Sequence, residues 1–102
     1  MATDPPPRSS WNLVVGDPVG PGRTVMRRSG GGDRYEVYVA WDEVRLSPVV
    51  MKRVRPDFSE DASTLRGLTR DVEIMAAFDH PYIVRVLDHD ATGPHPHITL
   101  NR

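Results

Sequence analysis

The 102-residue chain contains no cysteine, which excludes disulfides and thiolate metal sites and fits a reducing compartment, with the cytoplasm as the expected location. It also lacks any apolar run approaching the roughly 20 residues that span a bilayer, so no membrane segment is expected. The opening residues, Met1-Ala2-Thr3-Asp4-Pro5-Pro6-Pro7-Arg8, have none of the apolar stretch of a secretion signal. Charge of one sign is missing as well: 13 basic against 14 acidic residues leave a formal net charge of -1, too little for a broad field toward nucleic acid or an anionic surface. Arg23, Arg27, Arg28 and Arg34 cluster, but without interleaved aromatics they read as a solvated face, and no nucleic acid is expected. His80, His89, His95 and His97 have no spacing that announces a metal site. Around Asp88, His89 and Asp90 no nucleophile arrangement of a hydrolase is recognisable.

The 10 prolines and 8 glycines are abundant instead, and many fall early. Residues 1–22 carry the Pro5-Pro6-Pro7 triplet, Pro18, Pro21 and scattered Gly and Ser, a composition that denies backbone donors and reads as a flexible tail. Within it Trp11-Asn12-Leu13-Val14-Val15 is apolar enough to fold back onto a domain. From Arg23 the chain reads as one small domain. Thr24-Val25-Met26 and Tyr35 to Trp41 flank a glycine cluster as a hairpin, and Val49 to Val54 is a further strand ended by Pro56. Between Ser59 and Phe78, Leu65, Leu68, Val72, Met75 and Ala76 recur at helical spacing, with Ser59 or Ser63 available as the cap. Ile83 to Leu87 and His97 to Leu100 follow as strands across a turn containing Gly93-Pro94. The expected fold is α+β: a five-stranded antiparallel sheet in the order β, β, β, α, β, β, with one packed helix.

Three features of this frame carry chemistry. Gly30, Gly31 and Gly32 lie between two strands, where glycine lets backbone amides approach a phosphate, although turn chemistry alone also accounts for them. Lys52 shares a strand face with Val50 and Val54, so it needs a partner there unless it snorkels to water from an edge strand. On the helix, a 100° turn per residue places Asp71 at the margin of the apolar stripe and Glu73 well away from it. Asp71 is thus the better partner for Lys52, its alternative being a surface charge beside Arg70.

Together these residues resemble the amino-terminal lobe of a protein Ser/Thr kinase, marked by G-x-G-x-x-G-x-V, V-A-I-K, a helix acid and H-P-x-I-V. Gly30-Gly31-Gly32-Asp33-Arg34-Tyr35-Glu36-Val37 follows the loop pattern, with Tyr35 in the third glycine place; Val49-Val50-Met51-Lys52 follows the lysine strand, and His80-Pro81-Tyr82-Ile83-Val84 the motif after the helix. The match runs over residues 23–102, and the wording around the glycines and before the last strand is similar to actinobacterial kinases.

The resemblance implies ATP and Mg2+ as cofactors. Gly30, Gly31, Gly32, Val37, Val50, Lys52 and Leu100 would contact the nucleotide, and Lys52 and Asp71 would form the catalytic ion pair. Tyr35 is expected to hold the loop further from the phosphates, and Asp71, shorter than glutamate, to reach further. The magnesium ligands and the H-R-D and D-F-G motifs belong to the carboxy-terminal lobe, and neither motif occurs in this sequence. The chain therefore reads as a lobe cut at the hinge, inactive alone, whose partners in a full kinase are a carboxy-terminal lobe and a protein substrate. The other reading is a catalytically inert, pseudokinase-like interaction module.

Overall fold

A computed structural model describes residues 9–77 and 85–101. Strands β1 (Arg23–Gly31), β2 (Tyr35–Asp42) and β3 (Ser47–Val54) lead through a 3-10 turn at Pro56–Phe58 into helix α1 (Ala62–Ala77). The hairpin of β4 (Val86–Asp90) and β5 (His97–Asn101) follows. The five strands form a single sheet in the order β1-β2-β3-β5-β4, antiparallel throughout. This is the expected architecture.

Alternation along β2 and β3 divides the core in two. On one face Val25, Tyr38, Ala40, Val49 and Met51 bury together with Val19, and Leu13 packs against them. On the other, Val54, Leu68 and Ile98 bury with Tyr35, Phe58, Val72, Val86 and Leu100 around them. Helix α1 covers that second face with Thr64, Leu68, Asp71, Val72 and Met75 turned inward, while Glu73 and Ile74 are exposed. Thr64, Leu68, Asp71 and Met75 follow one another at three or four residues, with Val72 beside Asp71, the spacing that keeps one helix face on the sheet.

Three local expectations change. Within the stretch expected as a tail, residues 1–22, Leu13 and Val19 pack on the face that α1 leaves bare, the fold-back that the Trp11–Val15 run leaves open, while Val14 and Val15 stay exposed. Pro18 bridges to Thr24, and the indole Nε1 of Trp11 donates to the Val54 carbonyl over 2.7 Å. The Pro triplet lies outside the described residues.

Helix α1 is capped by neither Ser59 nor Ser63. Asp61 accepts from the Thr64 amide at 2.9 Å and from its hydroxyl at 2.7 Å, a carboxylate at the positive end of the helix; Ser59 instead closes the 3-10 turn on the Pro56 carbonyl. The strand expected over residues 83–87 is described only from Val86 and runs on to Asp90. His80-Pro81-Tyr82-Ile83-Val84 lies outside the described residues.

Polar residues could enter β4 because Arg23 meets them. Although β1 and β4 are opposite edges of the sheet, the Arg23 guanidinium donates to Asp42 Oδ2 at 3.0 Å, Thr99 Oγ1 at 3.1 Å and Asp88 Oδ2. The sheet curls until its edges share one cation. Asp42 Oδ1 accepts from the Val44 and Arg45 amides, each at 2.9 Å, closing the β2–β3 turn.

The Arg45 amide, outweighing the cost of burial, and then Arg23 hold the Asp42 carboxyl down at about 2, against an ordinary 3.8. A carboxyl depressed by folding contributes stability that is complete above its ordinary value and is lost as pH falls through its folded value. Thermal stability should therefore fall as pH drops from about 4 toward about 2. Asp42→Asn should be less stable at neutral pH and lose stability less steeply over that interval; an unchanged acid slope would contradict the assignment.

Candidate functional site

The glycine hairpin begins inside the ladder. Gly30 pairs with Val37 and Gly31 with Glu36, after a register shift between Arg28 and Gly30. The tip closes where the Gly32 amide donates to the Tyr35 carbonyl at 3.1 Å. Gly31 has no substitute: its φ is +143°, and a Cβ there would lie 2.3 Å from the Tyr35 carbonyl oxygen. Gly30, at φ +120°, faces open space.

Register carries the site from the hairpin to the middle of the sheet. Val37 is opposite Lys52, Lys52 opposite Ile98, and Val50 lies between Val39 and Leu100. Cross-strand partners share a face, so Val37, Val50, Lys52 and Leu100 lie together on the helix side of the sheet. The valines, Lys52 and Leu100 are each partly buried, leaving a band that one flat apolar molecule can touch beside a single ammonium.

The helix answers that ammonium as expected: Lys52 Nζ is 3.4 Å from Asp71 Oδ2. A shorter acid reaches because Lys52 leans over the Tyr35 ring, with Nζ 4.2 Å from the ring centroid. The Tyr35 hydroxyl donates to the Thr64 carbonyl at 3.4 Å, tying β2 to α1. Burial, and then the Asp71 charge, push the Tyr35 phenol above its ordinary value. Tyr35 thus supports the lysine from below as well as filling a loop position.

A second cluster behind the hairpin is legible in the sequence only in part. Glu36 is fully buried, and so nearly is Arg55; Arg55 Nη1 stands 3.3 Å from Glu36 Oε1. Arg55 Nε also donates to the Gly32 carbonyl at 3.0 Å, and Nη1 to the Ser9 carbonyl at 2.7 Å. Glu36 accepts from the Tyr38 hydroxyl and the Trp11 amide, with Arg28 at 3.4 Å. Burial raises the Glu36 carboxyl, but the bonds from Ser10, Tyr38 and Trp11 outweigh it and leave the group below its ordinary value. For Tyr38, burial and then the bond to Glu36 push the phenol up to about 12. The signal was a carboxylate two residues from Tyr38 and four from Ala40, on an apolar strand face that needs a counter-charge.

No protein-family model matches the chain. Among curated proteins it is similar to the Ser/Thr-protein kinase PrkC of Bacillus subtilis, 29% identical over 76 residues, 74% of this chain and 12% of that protein. The Ser/Thr-protein kinase PknD of Chlamydia caviae is 36% identical over 62 residues, 61% of this chain and 7% of its own length. The fold superposes on the crystal structure of the Mycobacterium tuberculosis PknI kinase domain with a TM-score of 0.67 at 25% identity, covering 90% of this chain and 37% of that one. In sequence and fold the chain matches the amino-terminal lobe of protein Ser/Thr kinases. It spans about an eighth or less of the curated kinases it matches.

Within this lobe, Lys52 and Asp71 are one-third and under one-half exposed. An ion pair so wet contributes at most about 1 kcal/mol, and the ring beneath adds a similar amount. Lys52→Ala should accordingly cost no more than about 2 kcal/mol in urea unfolding. Gly31→Ala should cost more than about 1 kcal/mol through backbone strain and displace the hairpin resonances. The reverse ranking of disturbance at the hairpin, with Gly31→Ala silent in its amide spectrum, would contradict the close contact.

Proposed function

We propose that the helix-side face of the sheet binds ATP, as the nucleotide half-site of a protein Ser/Thr kinase. The observation that carries the reading is the joining of Lys52 to Asp71 at 3.4 Å, one strand away from a hairpin whose Gly31 is sterically required. In this reading Lys52 holds the α- and β-phosphates and Asp71 holds Lys52. The amides of Gly30, Gly31 and Gly32 lie over the phosphates, and Val37, Val50 and Leu100 contact one face of the adenine. The residues present fit such a ligand, since the ammonium is anchored yet still partly open to solvent.

Asp71 is engaged by Lys52, so the proposal assigns it no magnesium. Mg2+ would arrive with the phosphates and be held by acids of a carboxy-terminal lobe, where it neutralises charge on the transferred group. Transfer of the γ-phosphate to protein Ser or Thr likewise needs a catalytic loop that this sequence does not contain. The lobe alone is therefore proposed to bind without catalysing, because phosphoryl transfer rests on positioning and charge stabilisation from both sides. Tyr35 in the third glycine place is what favours the second reading, an inert lobe that serves as an interaction module.

Titration of the folded chain with ATP and magnesium, followed by amide NMR, tests the proposal. Shifts should centre on residues 30–37 and on Lys52, and Lys52→Ala should weaken binding at least about tenfold, the usual size for a lost charge-assisted contact. A folded chain whose amides do not move at millimolar ATP would sink the reading and leave the interaction module.

A further inference from the structure

The buried Arg55–Glu36 pair lies outside the nucleotide face and does no chemistry there, yet it is the most completely desolvated charge pair among the described ion pairs, with side-chain exposures of 4% and 0%. Such a pair is weak evidence for stability, because removing two charges from water costs about as much as their attraction returns. What it does supply is direction. A guanidinium is a planar fork that can serve several acceptors at fixed angles, which an ammonium cannot.

Arg55 uses that fork to join three segments distant in sequence: the hairpin tip through the Gly32 carbonyl, strand β2 through Glu36, and the amino-terminal strap through the Ser9 carbonyl. The strap is fixed in turn. Trp11 donates its backbone amide to Glu36 and its indole Nε1 to Val54, the residue before Arg55. Its ring also stacks edge-on with His95 at 4.9 Å and lies 5.6 Å below the Arg53 guanidinium. A further backbone bond, from the Arg55 amide to the Arg34 carbonyl at 2.8 Å, ties the same residue to the other arm of the tip.

We propose that Arg55 is a positioning residue for the glycine hairpin, and that the strap around Ser9–Trp11 sets the hairpin's mobility by holding Arg55 in place. The tip residues Gly30 to Arg34 are exposed; Gly30 and Gly31 are held in the ladder and Arg34 by Thr64, Asp61 and the Phe58 ring, while the two bonds to Arg55 tie the tip to the end of β3. Docking of the strap closes the tether; its release frees the Arg55 fork and with it the tip. The consequence for phosphate binding rests on the ATP reading above, whereas the consequence for hairpin mobility does not.

The test uses the full chain and two variants. Arg55→Lys keeps the charge opposite Glu36 and loses the fork; Trp11→Phe keeps an aromatic ring, the backbone bond to Glu36 and the buried pair, and loses the indole bond to Val54 with part of the ring area against His95 and Arg53. Without nucleotide, amide exchange at Gly32 should accelerate about tenfold or more in Arg55→Lys and by less in Trp11→Phe, with Met51 and Ile98 unchanged as the core reference. With nucleotide, Kd for ATP should rise about tenfold in Arg55→Lys while Kd for adenosine, which has no phosphate for the hairpin to hold, stays put.

A general loss of structure would weaken both ligands and speed exchange at Ile98 too, and that result overturns the proposal. So does unchanged Gly32 exchange in the folded variants. If Arg55→Lys does not fold, the sign of the Gly32 change in Trp11→Phe decides alone. A faster hairpin in a chain that binds no ATP at all would uphold the positioning role and refute the nucleotide reading.

Discussion

Strand β3 is the constraint on which the other elements depend. It pairs with β2 on one side and β5 on the other, and its alternation sends Val49, Met51 and Arg53 to one face, Val50, Lys52 and Val54 to the opposite one. Each remaining segment is placed by what it covers. The strap takes the first face because Val49 and Met51 would otherwise be wet, and α1 takes the second because Leu68 fits between Val54 and Ile98. A one-residue slip of β3 would exchange the faces, bury Lys52 under the strap and remove it from Asp71. The same register that builds the core therefore aims the ammonium.

Ionic contacts then shape what the core leaves flexible, and they do so in two different regimes. Lys52 and Asp71 are half in water and hold each other weakly, so the pair can exchange partners. Arg55 and Glu36 are dry, and separating them would strand a buried charge, a loss of several kcal/mol. Arg23 stands between these cases, little exposed itself but facing an Asp88 that is 41% exposed. A rigid back face and an adaptable front face are what a sheet needs if one side anchors a strap and the other receives a ligand.

Much of this was legible in the sequence. Periodicity located β2, β3, β5 and α1, and the helical turn angle chose Asp71 over Glu73 before any distance was known. At the amino-terminal end composition was legible in part: prolines and glycines argued for a tail over residues 1–22 and the Trp11–Val15 run for a return to the domain, but that Leu13 and Val19 had a bare apolar face to reach is a property of the fold, invisible in a window of residues. The helix cap went to Asp61 for a similar reason. Ser59 was drawn into the 3-10 turn, and the first residue free to face the helix amides was the acid. Glu36 was read only as part of the glycine pattern, since its counter-charges Arg28 and Arg55 lie eight residues before it and nineteen after it.

Two departures from the kinase pattern are related once seen in space. In the sequence, Tyr35 for glycine and Asp71 for glutamate lie 36 residues apart and each looks like a loss of function. In the fold both flank Lys52: the ring supports Nζ from one side at 4.2 Å and the carboxylate meets it from the other at 3.4 Å. A glycine in place of Tyr35 would remove the ring on which the lysine rests. The ring also carries a hydroxyl to the Thr64 carbonyl, so the side chain that supports the lysine helps to hold the helix that presents its acid. The substitutions are thus compatible as a pair, and the lysine is directed toward the helix acid by a different division of contacts.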